Sequence, residues 1–321
     1  MLPLGGAVLV GALWWRLGVG PFVDGIALVN GPALLAAAVI TLFTTVSGAW
    51  RWQLVSRGLG VDLSLRTAIT AYYRSQFLNS VLPGGVLGDV DRGVGHGLNS
   101  GNVGLGLRAV VCERIGGQVV QTVLVVAVLT LVPSPVRSSA PVIAAIAAVI
   151  VVAAVIVFAA FPSGGTSIWA RGIRALATDL RLGVLGRATW PGVLLASCAV
   201  TAGHAVIFLI AGRAAGVTLS PIRMLPLAVL VLLAMSVPTN LAGWGPREGV
   251  AAWAFSAAGL GAGQGVTVAV VYGVLAFVSC LPGAAILVVD WLRRRRNGAG
   301  PVGSVRLPHP AGVDEGSKVR G

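Results

Sequence analysis

The chain has 321 residues, of which 56% are hydrophobic and only 10% charged, with a formal net charge of +13 and a mean hydropathy of +0.90. An average soluble domain carries about 25% charged residues, so too little polar surface is available to wrap a water-soluble globule, and that class is excluded. The basic excess would suggest nucleic acid in a soluble protein, but its arginines lie between and just beyond apolar runs, where membrane topology accounts for them and no nucleic-acid partner is expected.

A bilayer crossing needs roughly 20 residues of helix. Residues 2–15 form a short first candidate, with no basic segment before it and no evident cleavage site after it, and it reads as a span with a truncated start rather than a signal peptide. Full-length apolar runs follow at 32–54, 105–132, 141–161, 190–212 and 266–292. Two further apolar helices, 68–82 and 224–237, are too short to cross about 30 Å of hydrocarbon comfortably, and each runs into a Pro/Gly break and then a charged cluster.

Orientation follows from the arginines. The connection after residue 54 carries Arg57 and Arg66, the 162–189 connection carries Arg171, Arg174, Arg181 and Arg187 against Asp179, and the last span runs into Arg293, Arg294, Arg295 and Arg296. These are expected on the cytoplasmic side, and the 133–140 connection, with only Arg137, outside. Both termini are then cytoplasmic, in a multi-pass protein of the cytoplasmic membrane. The Gly/Pro-bearing tail 297–321 lacks hydrophobic periodicity and is expected to be disordered, which leaves residues 1–296 as one transmembrane domain.

That domain repeats. Gly60-Val61-Asp62-Leu63-Ser64 recurs as Gly216-Val217-Thr218-Leu219-Ser220, Arg57 matches Arg213 and Ser80 matches Ser236, all 156 positions apart. One residue later the register slips by one, so that Pro83 pairs with Pro238 and Arg92 with Arg247. Irregular backbone at membrane depth is tolerated only where protein buries it or a watery cavity wets it, which favours two re-entrant hairpins over two full spans. Either way an odd number of crossings separates the copies, three with hairpins and five without, so the second is inverted. The expected fold is an all-α integral membrane protein, an inverted-topology repeat of transmembrane helices with two re-entrant Pro/Gly-broken hairpins, in units of about 2–132 and 141–292. Transporters commonly place their substrate site where such broken helices meet.

Ionisable residues in apolar surroundings are functional candidates by default. Here they are Arg74, the Asp89, Asp91 and Arg92 group, Glu113 with Arg114, and Arg247 with Glu248. Neighbours on a helix point about 100° apart, so Glu113 and Arg114 need partners elsewhere: Arg92 or Arg74 for the acid, Asp89 or Asp91 for the base. A structural interhelical pair and a functional site both remain open for them. Arg247 follows Gly243-Trp244-Gly245-Pro246, and Pro246 with Glu248 in the first turn signals a helix start. Free N–H groups there and a bidentate guanidinium make an anion site; the competing role is neutralising Asp89 or Glu113 across the hairpins. Asn79, Gly84, Gly85, Asn240, Gly243 and Gly245 complete the two breaks as candidate headgroup contacts, although glycine is common in this chain.

No catalytic constellation emerges. Cys112, Cys198 and Cys280 fall in apolar stretches, and His96, His204 and His309 are scattered without metal-ligand spacing, so neither metal nor cofactor is expected. A lone His204 reads as bonded to a backbone carbonyl. Without a Ser/His/acid triad or a Walker A sequence, an enzyme is not expected.

At these residues the sequence resembles the lysylphosphatidylglycerol synthase transmembrane region, a flippase-like membrane domain. The matching elements are Arg51-Trp52 near the end of a span, FLNSVLPGGVLGDVDR from Phe77 to Arg92, Glu113-Arg114, and PTNLAGWGPREG from Pro238 to Gly249. The resemblance implies lipid handling. In fused members such a domain precedes a cytoplasmic transferase that aminoacylates phosphatidylglycerol; only a short polar tail follows Arg296 here, so a stand-alone member is expected. Asp91 departs from the family pattern and receives no role. The implied function is translocation of an anionic phospholipid or lipid-linked headgroup, with Arg92, Arg114 and Arg247 on phosphate and Asp89, Glu113 and Glu248 positioning them or meeting a cationic group. Rival readings are a carrier of polyprenyl-phosphate-linked glycans and a non-transporting scaffold that recruits a cytoplasmic enzyme through the Arg171 to Arg187 loop.

Overall fold

The computed structural model describes residues 11–133, 168–236 and 245–296, and every regular element among them is helical. The expected 141–161 span, the 297–321 tail, most of the 2–15 run, and Asn240 and Gly243 of the second break lie outside the described residues.

After a short helix α1 (Gly20–Ala27), one series of four helices runs α2 (Gly31–Gly58), α3 (Leu65–Val81), α4 (Leu87–Asn99) and α5 (Val103–Leu131). An amphipathic α6 (Ile168–Asp179) continues through a π turn (Leu180–Val184). A second series follows: α7 (Trp190–Ala214), α8 (Pro221–Ala234), α9 (Pro246–Ala257) and α10 (Ala262–Ser279), which passes through Cys280 into α11 (Leu281–Arg296). Both series read long, short, break, short, long. Among the described residues four stretches are long and apolar enough to span a bilayer: α2, α5, α7 and the α10–α11 run Ala262–Arg293. Each contains or closely overlaps an expected run, and the helices before the breaks have 17 and 14 residues.

The repeated pentapeptide is explained by a helix terminus. At the end of α2 the Val61 N–H reaches the Ser56 carbonyl (2.9 Å), and at the end of α7 the Val217 N–H reaches that of Gly212 (2.9 Å). This six-to-one bond closes a Schellman cap, which needs a left-handed residue at the position after the cap. Gly60 (φ 78°) and Gly216 (φ 76°) supply it. A second matched cap went unread in the sequence: Asn102 N–H to the Gly97 carbonyl (2.8 Å) after α4, and Leu260 N–H to that of Phe255 (2.9 Å) after α9. Those positions are 158 apart and share only the turn glycines Gly101 and Gly259, so no residue string betrays the register.

Packing is reciprocal between the two series. Helix α2 lies along α7; α5 packs on α7 and α10 on α2; α8 packs on α5 and α3 on α11. The interiors differ. Around α8, where Leu227 to Leu232 are all buried, a large apolar core gathers Phe208, Phe255, Tyr272 and Leu275, as expected of a helix that is hydrophobic all round. The first series has only a small apolar cluster about Ala49, Trp52 and Val110. Outward faces carry exposed Leu35, Val39, Phe43, Val123, Leu195 and Val288, a surface suited to hydrocarbon rather than water.

Candidate functional site

The first break is held by one amide. Asn79, in the last turn of α3, accepts the Gly88 N–H on Oδ1 (2.8 Å) and donates from Nδ2 to Asp89 Oδ2 (3.1 Å). Asp89 thus sits in the first turn of α4, where a helix N-terminus favours an acid. Between them Gly84 (φ 88°) and Gly85 (φ 62°) turn the chain in a conformation that residues with a Cβ resist.

Behind this turn lies a buried ion cluster. Glu113 of α5, fully buried, receives Arg51 Nε (2.8 Å) and Nη2 on Oε1, Arg92 Nη2 (2.6 Å) on Oε2, and the Tyr72 hydroxyl (3.3 Å). Arg51 also donates to Ser197 Oγ of α7 (3.0 Å). Arg92 donates from Nε to Asp89 Oδ1 (2.9 Å) and lies between the rings of Trp52 and Tyr72, 4.8 and 4.7 Å from their centroids. Asp89 is further held by Ser75 Oγ (3.2 Å) and by Arg114 Nη2. Three guanidinium groups against two carboxylates leave the cluster one positive charge in excess. A buried charge is tolerable only when paired and hydrogen-bonded, and each acid here meets at least two arginines.

Of the second break, the start of α9 from Gly245 lies among the described residues. Glu248 bends back so that Oε2 accepts the Gly245 N–H (2.7 Å), half of a capping box, while Oε1 accepts Arg247 Nε (2.7 Å) and Nη2 (2.5 Å). Arg247 thus pairs with its own neighbour, where a cross-hairpin pairing with Asp89 or Glu113 was the structural alternative: the cap turns the glutamate back toward the helix start, within reach of the long arginine chain. The Arg247 guanidinium lies 5.8 Å from the Tyr272 ring centroid and close against Gly273. The Tyr272 hydroxyl meets His204 Nδ1 (3.1 Å), a side chain rather than the expected backbone carbonyl.

The first break and the described residues on either side of the second line one cavity of about 1160 Å³. Of the expected contacts, Asn79, Gly84, Gly85, Asp89, Arg114 and Arg247 line it. Arg92, Glu113 and Glu248 are not in its wall; they stand behind, with side chains that hold the lining arginines or acids in place. Gly245 supplies the capped N–H. Arg74 is not a partner of Glu113: it pairs with Asp91 (2.7 Å) and reaches Asp290 of α11 (3.7 Å), and so Asp91 leaves Arg114 to Asp89. Residues not expected as headgroup contacts also line the cavity: Arg51, expected only as part of a family motif, His204, expected as a lone structural histidine, and Gln118 and Gln121. Arg114, Gln118 and Gln121 recur at the i, i+4, i+7 spacing of one helix face, a signal that was available.

The wall therefore offers three guanidinium groups from different helices, the amides of Gln118 and Gln121, and an apolar remainder. That combination suits a ligand with an anionic head and a greasy body. Among the three, Arg114 is the most exposed, with over half of its side chain free. Apart from Arg114, Ser75, Asn79 and Arg92 also bond to the Asp89 carboxylate.

These features define an integral, multi-pass helical membrane protein with a cavity whose mostly apolar wall carries three arginines. The chain belongs to the lysylphosphatidylglycerol synthase TM region family, whose model matches residues 3–283. The membership ties it to lipid metabolism or transport in a membrane. No curated protein and no solved structure matches it.

Proposed function

We propose that the chain binds the phosphate of an anionic lipid headgroup in the main cavity and carries it between leaflets without making or breaking a covalent bond. The two helical series form the inverted repeat, and α3–α4 and α8–α9 are its re-entrant hairpins. The observation that carries this reading is that Arg114, beside the first break, and Arg247, just after the second, face one cavity. The reciprocal packing of the two series is what a two-fold relation produces, and broken helices meeting at such a relation are the usual place of a transporter's substrate. Charge-assisted hydrogen bonds contribute about 1.5–3 kcal/mol each, enough for two arginines to hold the phosphate, while the ammonium of a zwitterionic head would meet the excess positive charge of the cluster.

The test uses the purified chain in vesicles that contain a headgroup-labelled anionic phospholipid. The protein should speed the exposure of inner-leaflet label to an impermeant quencher, and should act less on a zwitterionic analogue. No acceleration for any anionic lipid would sink the reading. Its topology is tested by Asp62→Cys and Thr218→Cys, exposed equivalents just after the two Schellman caps. In a cysteine-free background an impermeant thiol reagent should label only one of them from outside the cell.

A further inference from the structure

Four of the six buried side-chain polar atoms that lack a hydrogen-bond partner among the described residues fall in a single seam between α2 and α4: Trp52 Nε1, Ser56 Oγ, Arg92 Nη1 and His96 Nε2. The other two, Arg108 Nε and Asp179 Oδ2, face each other at 2.6 Å. Trp52 and Ser56 are one turn apart on α2, and Arg92 and His96 one turn apart on α4, so each pair shares a helix face. The Trp52 ring joins them: the Arg92 guanidinium carbon lies 4.8 Å from its centroid and the His96 ring 5.4 Å, edge-on. His96, over nine-tenths buried, also lines a second cavity of about 510 Å³ with Asp62, Asn99, Ser100 and Asn102. None of the four seam residues lines the main cavity.

Buried polar groups are almost always satisfied by protein or by ordered water, and an apolar ligand would leave these four unpaired. Their chemistry is complementary to water in sequence. Trp52 and Arg92 donate, Ser56 does either, and His96 does either according to its tautomer. We propose that the seam binds a short file of water that runs from the second cavity, with His96 at its mouth, to Arg92 Nη1 at its inner end. Because the other nitrogens of Arg92 hold Asp89 and Glu113, the file brings water to the guanidinium that holds the carboxylate cluster from a side separate from the main cavity. It ends there, since an arginine donates hydrogen bonds but passes no proton on. The charged groups around His96 are Arg92 on its own helix, Asp62 across the second cavity, Arg74 of α3 beside Gly95, and, beyond Arg92, Arg51 and Glu113. The file stands whatever the main cavity binds.

The test is exchange of the Trp52 indole N–H into heavy water, followed by NMR on the full ¹⁵N-tryptophan-labelled chain in lipid nanodiscs and assigned by loss of its signal in Trp52→Phe. A hydrated seam should exchange about a hundredfold faster than the buried amides of α8, a contrast of the size that separates open from closed regions of one fold. His96→Phe keeps a ring on Trp52 and stoppers the mouth, and should slow exchange about tenfold or more, while His96→Gln keeps a polar group there and should match the wild type. An indole as protected as the α8 amides overturns the proposal. So does fast exchange that His96→Phe leaves unchanged; should that variant not fold, slow exchange in a folded His96→Gln protein overturns it equally.

Discussion

The two helical series follow one path and are filled with opposite materials. In the second, α8 is buried in aliphatic and aromatic side chains, and an ion pair beside its break, Arg247 with Glu248, joins adjacent residues. In the first, α3, α4 and α5 surround a cluster of three arginines and two acids that also draws on α2 and α7. A dry core resists rearrangement because close packing is bistable rather than deformable, whereas a ring of charges with shared partners can trade one contact for another. The second series therefore holds its hairpin by apolar packing, and the first by shared charges.

The largest contrast should come from the two buried glutamates. Glu113→Gln leaves Arg51 and Arg92 short of a buried counter-charge and should cost about 3–5 kcal/mol, as breaking a buried ion pair does. Glu248→Gln can still accept the Gly245 N–H, and Arg247 can turn into the cavity, so about 1–3 kcal/mol is expected there. Thermal unfolding in detergent with membrane protein level as a second readout would check the order; equal losses would break the comparison.

A smaller contrast concerns two glycines, 156 positions apart, that each carry an arginine. A Cβ on Gly117 would meet the Arg51 guanidinium at 2.5–2.9 Å, and one on Gly273 that of Arg247 at 2.3–2.8 Å. Arg51 is pinned by Glu113 and Ser197, so Gly117→Ala should cost about 1–3 kcal/mol through overpacking. At Gly273 the arginine has the cavity to move into, and the gain of about 1 kcal/mol in helix propensity should bring Gly273→Ala close to neutral. Unfolding midpoints of the two variants would measure this.

The smallest effect sharpens the likeness rather than the difference. Gly60→Ala and Gly216→Ala each force a Cβ into a left-handed cap and should cost roughly 1 kcal/mol apiece. Because the caps match bond for bond, the two losses should agree within a few tenths of a kcal/mol. A clear disparity would mean that the helix ends share a shape but not an energetic role.

Much of this architecture was legible beforehand because run length and helix punctuation are local. The spans, the short helices before each break and the glycine of the first cap are all written in contiguous residues. Pairing is not local. Arg51 stands near the end of an apolar run and read as part of a family motif rather than of a site; only the packing of α2 against α5 and α7 brings it to Glu113 and Ser197. Arg92 and Arg114 carried identical sequence signals, yet one lies behind the wall and the other lines it, because α4 turns the first toward Trp52 and Tyr72. The α4 and α9 caps match in hydrogen bonds without a shared string, since a Schellman turn constrains one backbone angle and few side chains.

The central claim is that Arg114 and Arg247 together grip one phosphate-bearing head. The most direct measurement is the affinity of the purified chain for an anionic phospholipid, compared among wild type, Arg114→Gln, Arg247→Lys and Arg247→Gln, each confirmed folded by its unfolding midpoint. Losing one charge-assisted bond of about 1.5–3 kcal/mol predicts binding weakened roughly tenfold or more in each Gln variant. Lysine should not restore it, because a point charge cannot replace a planar two-pronged donor. Wild-type affinity in folded Arg114→Gln and Arg247→Gln proteins would contradict the account.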